Sequence, residues 1–292
     1  MKNLLNMTNY QLFPEKKRTI KTRYRSTLHA LKKIFSRKGD IAFTLRNIPV
    51  TYWVLSNTFF SRQLTKWGGY EIENSNWVLD NFSGKQGGLF VDVGANFGWY
   101  SLIFSMCAGP SGRVVSIEPE PENLRLLNKN IATNNATNIS VITAGVGASD
   151  GVAELSLNDQ WNPGMHSLRQ SLNSHDKVEI EIKSLDNILK DFPGEIDLLK
   201  MDIEGFEVDA LMGAHETLAR TKCVLIEYTP KFIRACGRDP NEFLTIFENH
   251  KFVPYCMSDG KLTLRTSEFL NSVDSKLAHL ENPQVDIFYI KL

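Results

Sequence analysis

The chain is poor in paired cysteine, in long apolar runs and in net charge, and each shortage removes a class of protein. Its four cysteines, at 107, 223, 236 and 256, show no Cys-x-x-Cys spacing. Neither a zinc ribbon nor a disulfide framework is expected, and the thiols read as buried and free. No apolar run reaches the ~20 residues of a membrane span, because Asp92 and the glycines after it break the most hydrophobic stretch. The start, Met-Lys-Asn-Leu-Leu-Asn-Met-Thr-Asn, lacks a signal-peptide core. A cytoplasmic protein is the expectation. A hydrophobic content of 42% in 292 residues is enough to bury one sizeable core and a smaller appendage.

Formal net charge is zero, yet its distribution is uneven. Residues 1 to 39 hold eleven Lys or Arg against one acid, Glu15, so this leader carries a formal +10 and the remainder −10. Leu28, Leu31 and Phe35 recur at helical spacing among Lys32, Lys33, Arg37 and Lys38, a pattern compatible with a basic amphipathic helix over 26 to 36. An anionic membrane surface, nucleic acid and an acidic partner all stay open as its target, beside a leader that is simply solvated. The first of these would make the protein peripheral to a membrane. Residues 40 to 85 form an extension rich in aromatic residues, among them Tyr52, Trp53, Phe59, Phe60, Tyr70 and Trp77. Most of these rings are expected to anchor the extension to the main domain, 86 to 292, leaving one or two to face a substrate.

From residue 86 onward strand and helix patterns alternate, the signature of a parallel sheet covered on both faces. Strands are expected at 89–93, 113–117, 139–144, 196–201, 223–226, 252–256 and 285–291, with helices over 100–108, 120–134 and 207–220. Two extra strands, 152–157 and 178–182, flank a polar loop, and no internal repeat is present.

The chemistry gathers at strand ends. Leu89 to Gly98 runs from an apolar strand into an acidic, glycine-bearing turn, and Glu118 closes the next strand. Gly94 and Gly98 let the backbone turn tightly and approach a ligand, and an acid at the neighbouring tip can grip a ribose diol. The Gly-x-x-x-Gly spacing lacks the third glycine with which dinucleotide-binding turns admit a pyrophosphate. That favours a nucleoside cofactor without phosphates. Ligands of open α/β sheets sit beyond the carboxyl ends of the strands, where Asp92, Asn96, Glu118, Asp202, Glu204 and Glu227 share one edge. So acidic an edge suits a cationic cofactor and repels a dinucleotide.

Asp-Val-Gly-Ala-Asn-Phe-Gly-Trp-Tyr-Ser at 92–101, Ser-Ile-Glu-Pro at 116–119, Leu-Leu-Lys-Met-Asp-Ile-Glu-Gly-Phe-Glu at 198–207 and Val-Leu-Ile-Glu at 224–227 together resemble the FkbM family of methyltransferases, over residues 70 to 292. The resemblance implies a class I methyltransferase fold, a Rossmann-like seven-stranded α/β sheet with helices on both faces and a final antiparallel strand. It also implies S-adenosylmethionine as cofactor and a hydroxyl of a sugar, glycan, glycolipid or polyketide-like small molecule as acceptor. By the same resemblance Gly94, Asn96 and Gly98 line the methionine part and Glu118 holds the ribose hydroxyls. Asp92 is grouped with them, with orientation of the turn as its alternative role. Asp150, after the third strand, either reaches the adenine amine or belongs to an ordinary Asp-Gly turn.

An aliphatic hydroxyl is a poor nucleophile until a base removes its proton. Asp202 and Glu204, at the fourth strand tip, and His166, in the loop Pro163 to Ser167, are the candidates. Asp202 is expected near the methyl donor, and the identity of the base stays open. The competing roles are an Asp202 that holds the cofactor's ammonium, a Glu204 that caps the helix beyond Gly205 and an exposed loop His166. No His-rich or Asp-x-Asp spacing points to a metal. After the fourth strand there is no Asn/Asp-Pro-Pro-Tyr tetrad of nucleobase amino methyltransferases, nor is there a Pro-Cys nucleophile; oxygen as acceptor is what the resemblance implies, more than the chemistry. An RNA ribose 2'-O-methyltransferase, a nucleotide-dependent oxidoreductase and a non-catalytic binding protein on the same fold remain alternatives. The acidity of the domain beyond residue 39 opposes a long phosphate track.

Overall fold

A computed structural model of the protein describes residues 39–45, 48–85, 87–156, 177–273 and 284–292. The basic segment read over 26 to 36 and the loop that carries His166 lie outside the described residues. The described chain enters through a hairpin, β1 (Asp40–Thr44) and β2 (Thr51–Leu55), followed by α1 (Phe59–Trp67) and α2 (Ile72–Phe82). The main sheet begins at β3 (Leu89–Val93) and continues through α3 (Trp99–Ala108), β4 (Arg113–Ile117), α4 (Pro121–Thr133) and β5 (Ile139–Ile142). Three strands, β6 (Gly145–Val146), β7 (Gly151–Ser156) and β8 (Lys177–Lys183), then form a separate small sheet. Next come α5 (Leu185–Leu189), β9 (Ile196–Met201), α6 (Glu207–Met212), α7 (His215–Ala219), β10 (Cys223–Tyr228) and α8 (Pro230–Ala235). The remaining elements are α9 (Pro240–Asn249), β11 (Phe252–Ser258), β12 (Lys261–Leu264), α10 (Ser267–Asn271) and β13 (Val285–Lys291).

The strand order is β12-β11-β13-β10-β9-β3-β4-β5. Five strands, β5, β4, β3, β9 and β10, are parallel, and β13 slots antiparallel between β10 and β11. Because β4 lies on one side of β3 and β9 on the other, the connections diverge there and open a crevice beyond the strand ends. Every residue of β3 and β9 is buried, as strands covered on both faces must be. Side chains alternate between two apolar layers. Phe90, Leu198, Leu225 and Phe288 enter one; Val91, Leu199, Val224 and Ile287 enter the other.

The extension belongs to the first layer. Trp77 packs on Phe288 with ring centres 4.5 Å apart, and Tyr52 stacks on Trp99 at 4.7 Å while its hydroxyl donates to the Trp99 carbonyl. Residues 40 to 85 thus share one core with a face of the main sheet.

Two features differ from the sequence expectation. The sheet has eight strands instead of seven, because Asp259 and Gly260, with φ of 50° and 73°, turn the chain from β11 into the edge strand β12 as an Asp-Gly hairpin. The single helix expected over 207 to 220 is two short ones, α6 and α7. At Gly213 a Cβ would stand 2.3 Å from the Gly147 carbonyl oxygen, and the Gly213 carbonyl accepts the Asp186 N–H instead of continuing a helix. The Asp186 carboxylate then accepts the N–H groups of Glu216 and Thr217 at the start of α7. No helix among the described residues is long and apolar enough to cross a membrane.

Asn130 of α4, wholly buried, clamps the hairpin to the turn after β3. Its Nδ2 donates to the carbonyls of Trp53 and Phe97 at 2.9 and 2.7 Å, and its Oδ1 accepts the Trp53 N–H at 2.6 Å. Asn130→Ala strands these backbone groups, so its urea midpoint is expected to drop by the equivalent of about 2–4 kcal/mol; a midpoint equal to wild type would contradict the clamp.

Candidate active site

The polar groups of the site occupy alternate positions on one face of the sheet. Asp92 continues the face of Phe90, and the strand register places Ser116 of β4 on one side of it and Lys200 of β9 on the other. Lys200 stands beside Leu225 of β10, and Leu225 beside Phe288 of β13. One pleat nearer the crevice, Glu227 stands directly opposite Asp286, and Asp202 follows Lys200 by two residues. A side-chain period of two therefore turns Asp92, Lys200, Glu227 and Asp286 toward the layer beneath the extension.

Asp92 is wholly buried. Its Oδ2 accepts the Ser101 hydroxyl at 2.6 Å, and the Ser116 hydroxyl donates to Ser101 at 2.8 Å. Burial raises the Asp92 pKa, with Lys200 opposing, and its Oδ1 has no hydrogen-bond partner. The ammonium of Lys200 lies 3.8 Å from that oxygen and 3.7 Å from Asp202 Oδ2, and donates to the Gly94 carbonyl at 3.2 Å. Burial alone would lower the lysine pKa; the carboxylates of Asp202, Asp92, Glu71 and Glu227 outweigh it and hold the value above the ordinary one.

The turn after β3 is set by steric exclusion. A Cβ on Gly94, with φ of 72°, would stand 2.1 Å from the Asp202 carbonyl oxygen, so only glycine lets this turn pass the β9 tip. Asn96 is also left-handed, φ 52°, and its side-chain oxygen accepts the Phe97 N–H at 2.8 Å. Its own N–H donates to Glu118 Oε2 at 2.7 Å, while Glu118 Oε1 accepts from the Glu120 N–H at 3.0 Å and the Asn123 amide at 3.3 Å. Burial pushes the Glu118 carboxyl up to about 7 against these bonds. The cap of α4 is Glu120, whose carboxylate accepts the Asn123 N–H.

These groups line one cavity of about 430 Å³, within the ~300–1,000 Å³ typical of small-molecule sites. Gly94, Asn96 and Glu118 form one wall; Asp202, Glu204, Glu227 and Asp286 form the other; Phe60, Tyr70 and Glu71 come from the extension. Among the residues read from sequence, Asp92, Gly94, Asn96, Glu118, Asp202 and Glu204 are thereby brought together. Gly98 is not in the wall: it opens α3, where a Cβ would meet Leu127 Cδ1 at 2.6 Å. Asp150 is not there either, since its exposed carboxylate accepts the Ser184 N–H at 2.9 Å and bonds the Asn187 amide at the start of α5. His166 lies outside the described residues.

Four polar side chains in or beside the cavity escaped the sequence reading. Lys200 had one signal, a charge inside the apolar run Leu198 to Met201. Asp286 had a similar one in β13; its Oδ2 accepts the Asn74 amide at 2.7 Å, and burial, with Glu71 and Asp202 nearby, pushes it up to about 8. Glu71 had none: it sits at the left-handed entry to α2, accepts the Tyr100 hydroxyl at 2.6 Å, and is raised by burial and by Asp202. Glu207, not Glu204, holds the turn after β9, as its Oε1 accepts the N–H groups of Ile203 and Gly205 at 3.0 and 3.2 Å. Burial pushes Glu207 up to about 7.

The strand order, the glycine turn at the crevice and the acid at the β4 tip define a class I methyltransferase fold. The methyltransferase FkbM domain matches residues 92–254, more than half of the chain, and the chain belongs to this family. S-adenosylmethionine is the cofactor of that family. Methyltransferase sdnD of Sordaria araneosa is 28% identical over 156 residues, 43% of this chain and 60% of that protein. Methyltransferase 1 of Beauveria bassiana (strain ARSEF 2860) is 24% identical over 143 residues, 42% and 57% of the two chains. The chain thus matches less than two thirds of the length of these curated relatives. The crystal structure of methyltransferase FkbM from Methylobacillus flagellatus KT superposes with a TM-score of 0.41 at 17% identity, covering 70% of this chain and 44% of that one. The residues of the cavity fit the cofactor: a cation meets a lining rich in carboxyls, with the Gly94 turn and Glu118 at one end.

Glu118, Glu207 and Asp286 titrate above their ordinary values of 4.5, 4.5 and 3.8 when folded. The folded protein therefore keeps protons that the unfolded chain releases, and this contribution to stability is complete below those ordinary values and lost as pH rises to about 7 and 8. Calorimetry should show the melting temperature falling from about pH 6 to about pH 8, with a smaller fall in Glu207→Gln; a rise over that range would contradict the assignment.

Proposed function

We propose that the protein transfers a methyl group from S-adenosylmethionine to a hydroxyl of a sugar, glycan, glycolipid or polyketide-like small molecule. The observation that carries this reading is the continuity of one cavity, from the Gly94 and Glu118 wall to the carboxyls on β9, β10 and β13. When bound, the cofactor supplies an electrophilic methyl group. Asn96 and Glu118 would hold its nucleoside part, and Asp92, Gly94 and Asp202 its cationic part. Acids on the facing wall are within one enclosure of any acceptor that enters, and a carboxylate is what a hydroxyl needs to give up its proton. Phe59 and Tyr70, on the same cavity, offer flat apolar surface against which a ring can be positioned, and positioning is where much of the rate of a displacement originates.

A cavity whose wall holds seven carboxyl side chains and the single ammonium of Lys200 weighs against RNA, whose phosphates it would repel. The missing third glycine weighs against a dinucleotide in the same way.

Glu118→Ala is expected to weaken S-adenosylmethionine about 10–100-fold in a calorimetric titration, with no heat from NAD in either protein; unchanged affinity would remove Glu118 from the site. With a labelled methyl donor, label should pass to hydroxylated acceptors. Asp202→Asn, which removes a charge facing the cationic part of the cofactor, should weaken S-adenosylmethionine binding about 10-fold; unchanged affinity would remove Asp202 from the cofactor. Label found on nitrogen, or on RNA alone, would overturn the small-molecule hydroxyl reading.

A further inference from the structure

We propose that Glu227 and Asp286 act as one carboxyl pair that receives the proton of the acceptor hydroxyl. The inference rests on the O-methyl transfer reading and names the base that reading leaves open. Glu227 and Asp286 are directly opposite in the antiparallel ladder of β10 and β13, so their side chains rise from the same face of the sheet, with Cβ atoms about 4.5–5.5 Å apart. Both line the cavity, on the side of β9 away from the Gly94 and Glu118 wall. Asp202, Glu204, Glu207 and Lys200 lie near Glu227; Glu71, Asp202 and Lys200 lie near Asp286. Lys200 is committed elsewhere, at 3.7 Å from Asp202 and 3.8 Å from Asp92.

Two opposed carboxylates without a cation of their own cannot both ionise cheaply, and a site of this kind holds one proton between two groups. Asn74 fixes which oxygen is engaged, since its amide donates to Asp286 Oδ2 at 2.7 Å. Burial works in the same direction and lifts both acids, Asp286 to about 8 and Glu227 well above its ordinary value. The member of the pair left ionised is more basic than an exposed carboxylate, and it is this member that can accept a proton. In the step itself the acceptor O–H bond breaks, the proton passes to the ionised member of the pair, and the electron pair stays on the acceptor oxygen as its nucleophile. The pair returns that proton to water after the product leaves.

The test uses Glu227→Gln and Asp286→Asn in the full chain. Infrared spectroscopy at neutral pH should show a protonated carboxyl band that each variant diminishes, whether or not an acceptor is known. Relief of like-charge repulsion should leave melting temperatures equal or higher, and S-adenosylmethionine binding should stay near wild type. With a methylated acceptor in hand, kcat should fall about 10²–10⁴-fold at nearly constant KM, and the acidic limb of the pH–rate profile should move. Loss of cofactor binding in both variants, an absent infrared band, or a wild-type pH profile would overturn the pair. A wild-type protein that shows the band and binds the cofactor but methylates no hydroxyl would instead overturn the O-methyl reading alone.

Discussion

The ammonium of Lys200 holds the functional edge together. It is buried in the sheet, flanked by Asp92 and Asp202, and bonded to the carbonyl of Gly94. Charges removed from water this way are tolerated only when paired; without Lys200 the carboxyls of β3 and β9 would face each other with nothing of opposite sign between them. The bond to Gly94 also ties the tip of β9 to the turn after β3, where the missing Cβ already forces the two into contact. From that point a chain of hydroxyls, Ser101 and Ser116, carries the network across to β4. Electrostatics and backbone sterics therefore fix the same junction.

The extension does more than shield this junction. Phe60 packs edge-on against Phe97 at 4.8 Å, and the indole N–H of Trp99 donates to Ser75 at 2.9 Å, so the cover rests on the residues that follow the glycine turn. It also delivers Glu71 and Asn74, one a carboxyl of the cavity wall and the other the amide that steadies Asp286. Excluding water from this space strengthens every interaction inside it. Burial raises the carboxyl pKa of both Glu71 and Asp286 there.

Much of this was legible in the sequence. β3, β4 and β9 fall where their apolar runs predict, because a strand buried on both faces shows itself as a short continuous hydrophobic stretch. Gly94, Asn96 and Glu118 were readable because the turn chemistry is local. Asp286 was not, for a geometric reason: the rule that sites gather at carboxyl ends applies to parallel strands, whereas antiparallel β13 brings its amino end to the same edge. Lys200 was hidden by the assumption that a strand interior is structural. Glu71 reaches Tyr100 across 29 positions of sequence, and the break at Gly213 comes from Gly147, a neighbour only in three dimensions. The wall of the cavity opposite Gly94 and Glu118 is thus built mostly from tertiary contacts, which no local pattern encodes.

The bond between Asn74 and Asp286 joins residues 212 positions apart, and β13 inserts between strands that both precede it in the chain. Contacts so distant form late, since their loop entropy must be met before they stabilise anything. On a ribosome, then, the turn after β3 and Glu118 emerge and can fold long before the acid across the cavity from them has been synthesised. The mutually repelling carboxyls are kept apart until the sheet can hold them, and the cavity wall is completed in one step with the insertion of a single strand.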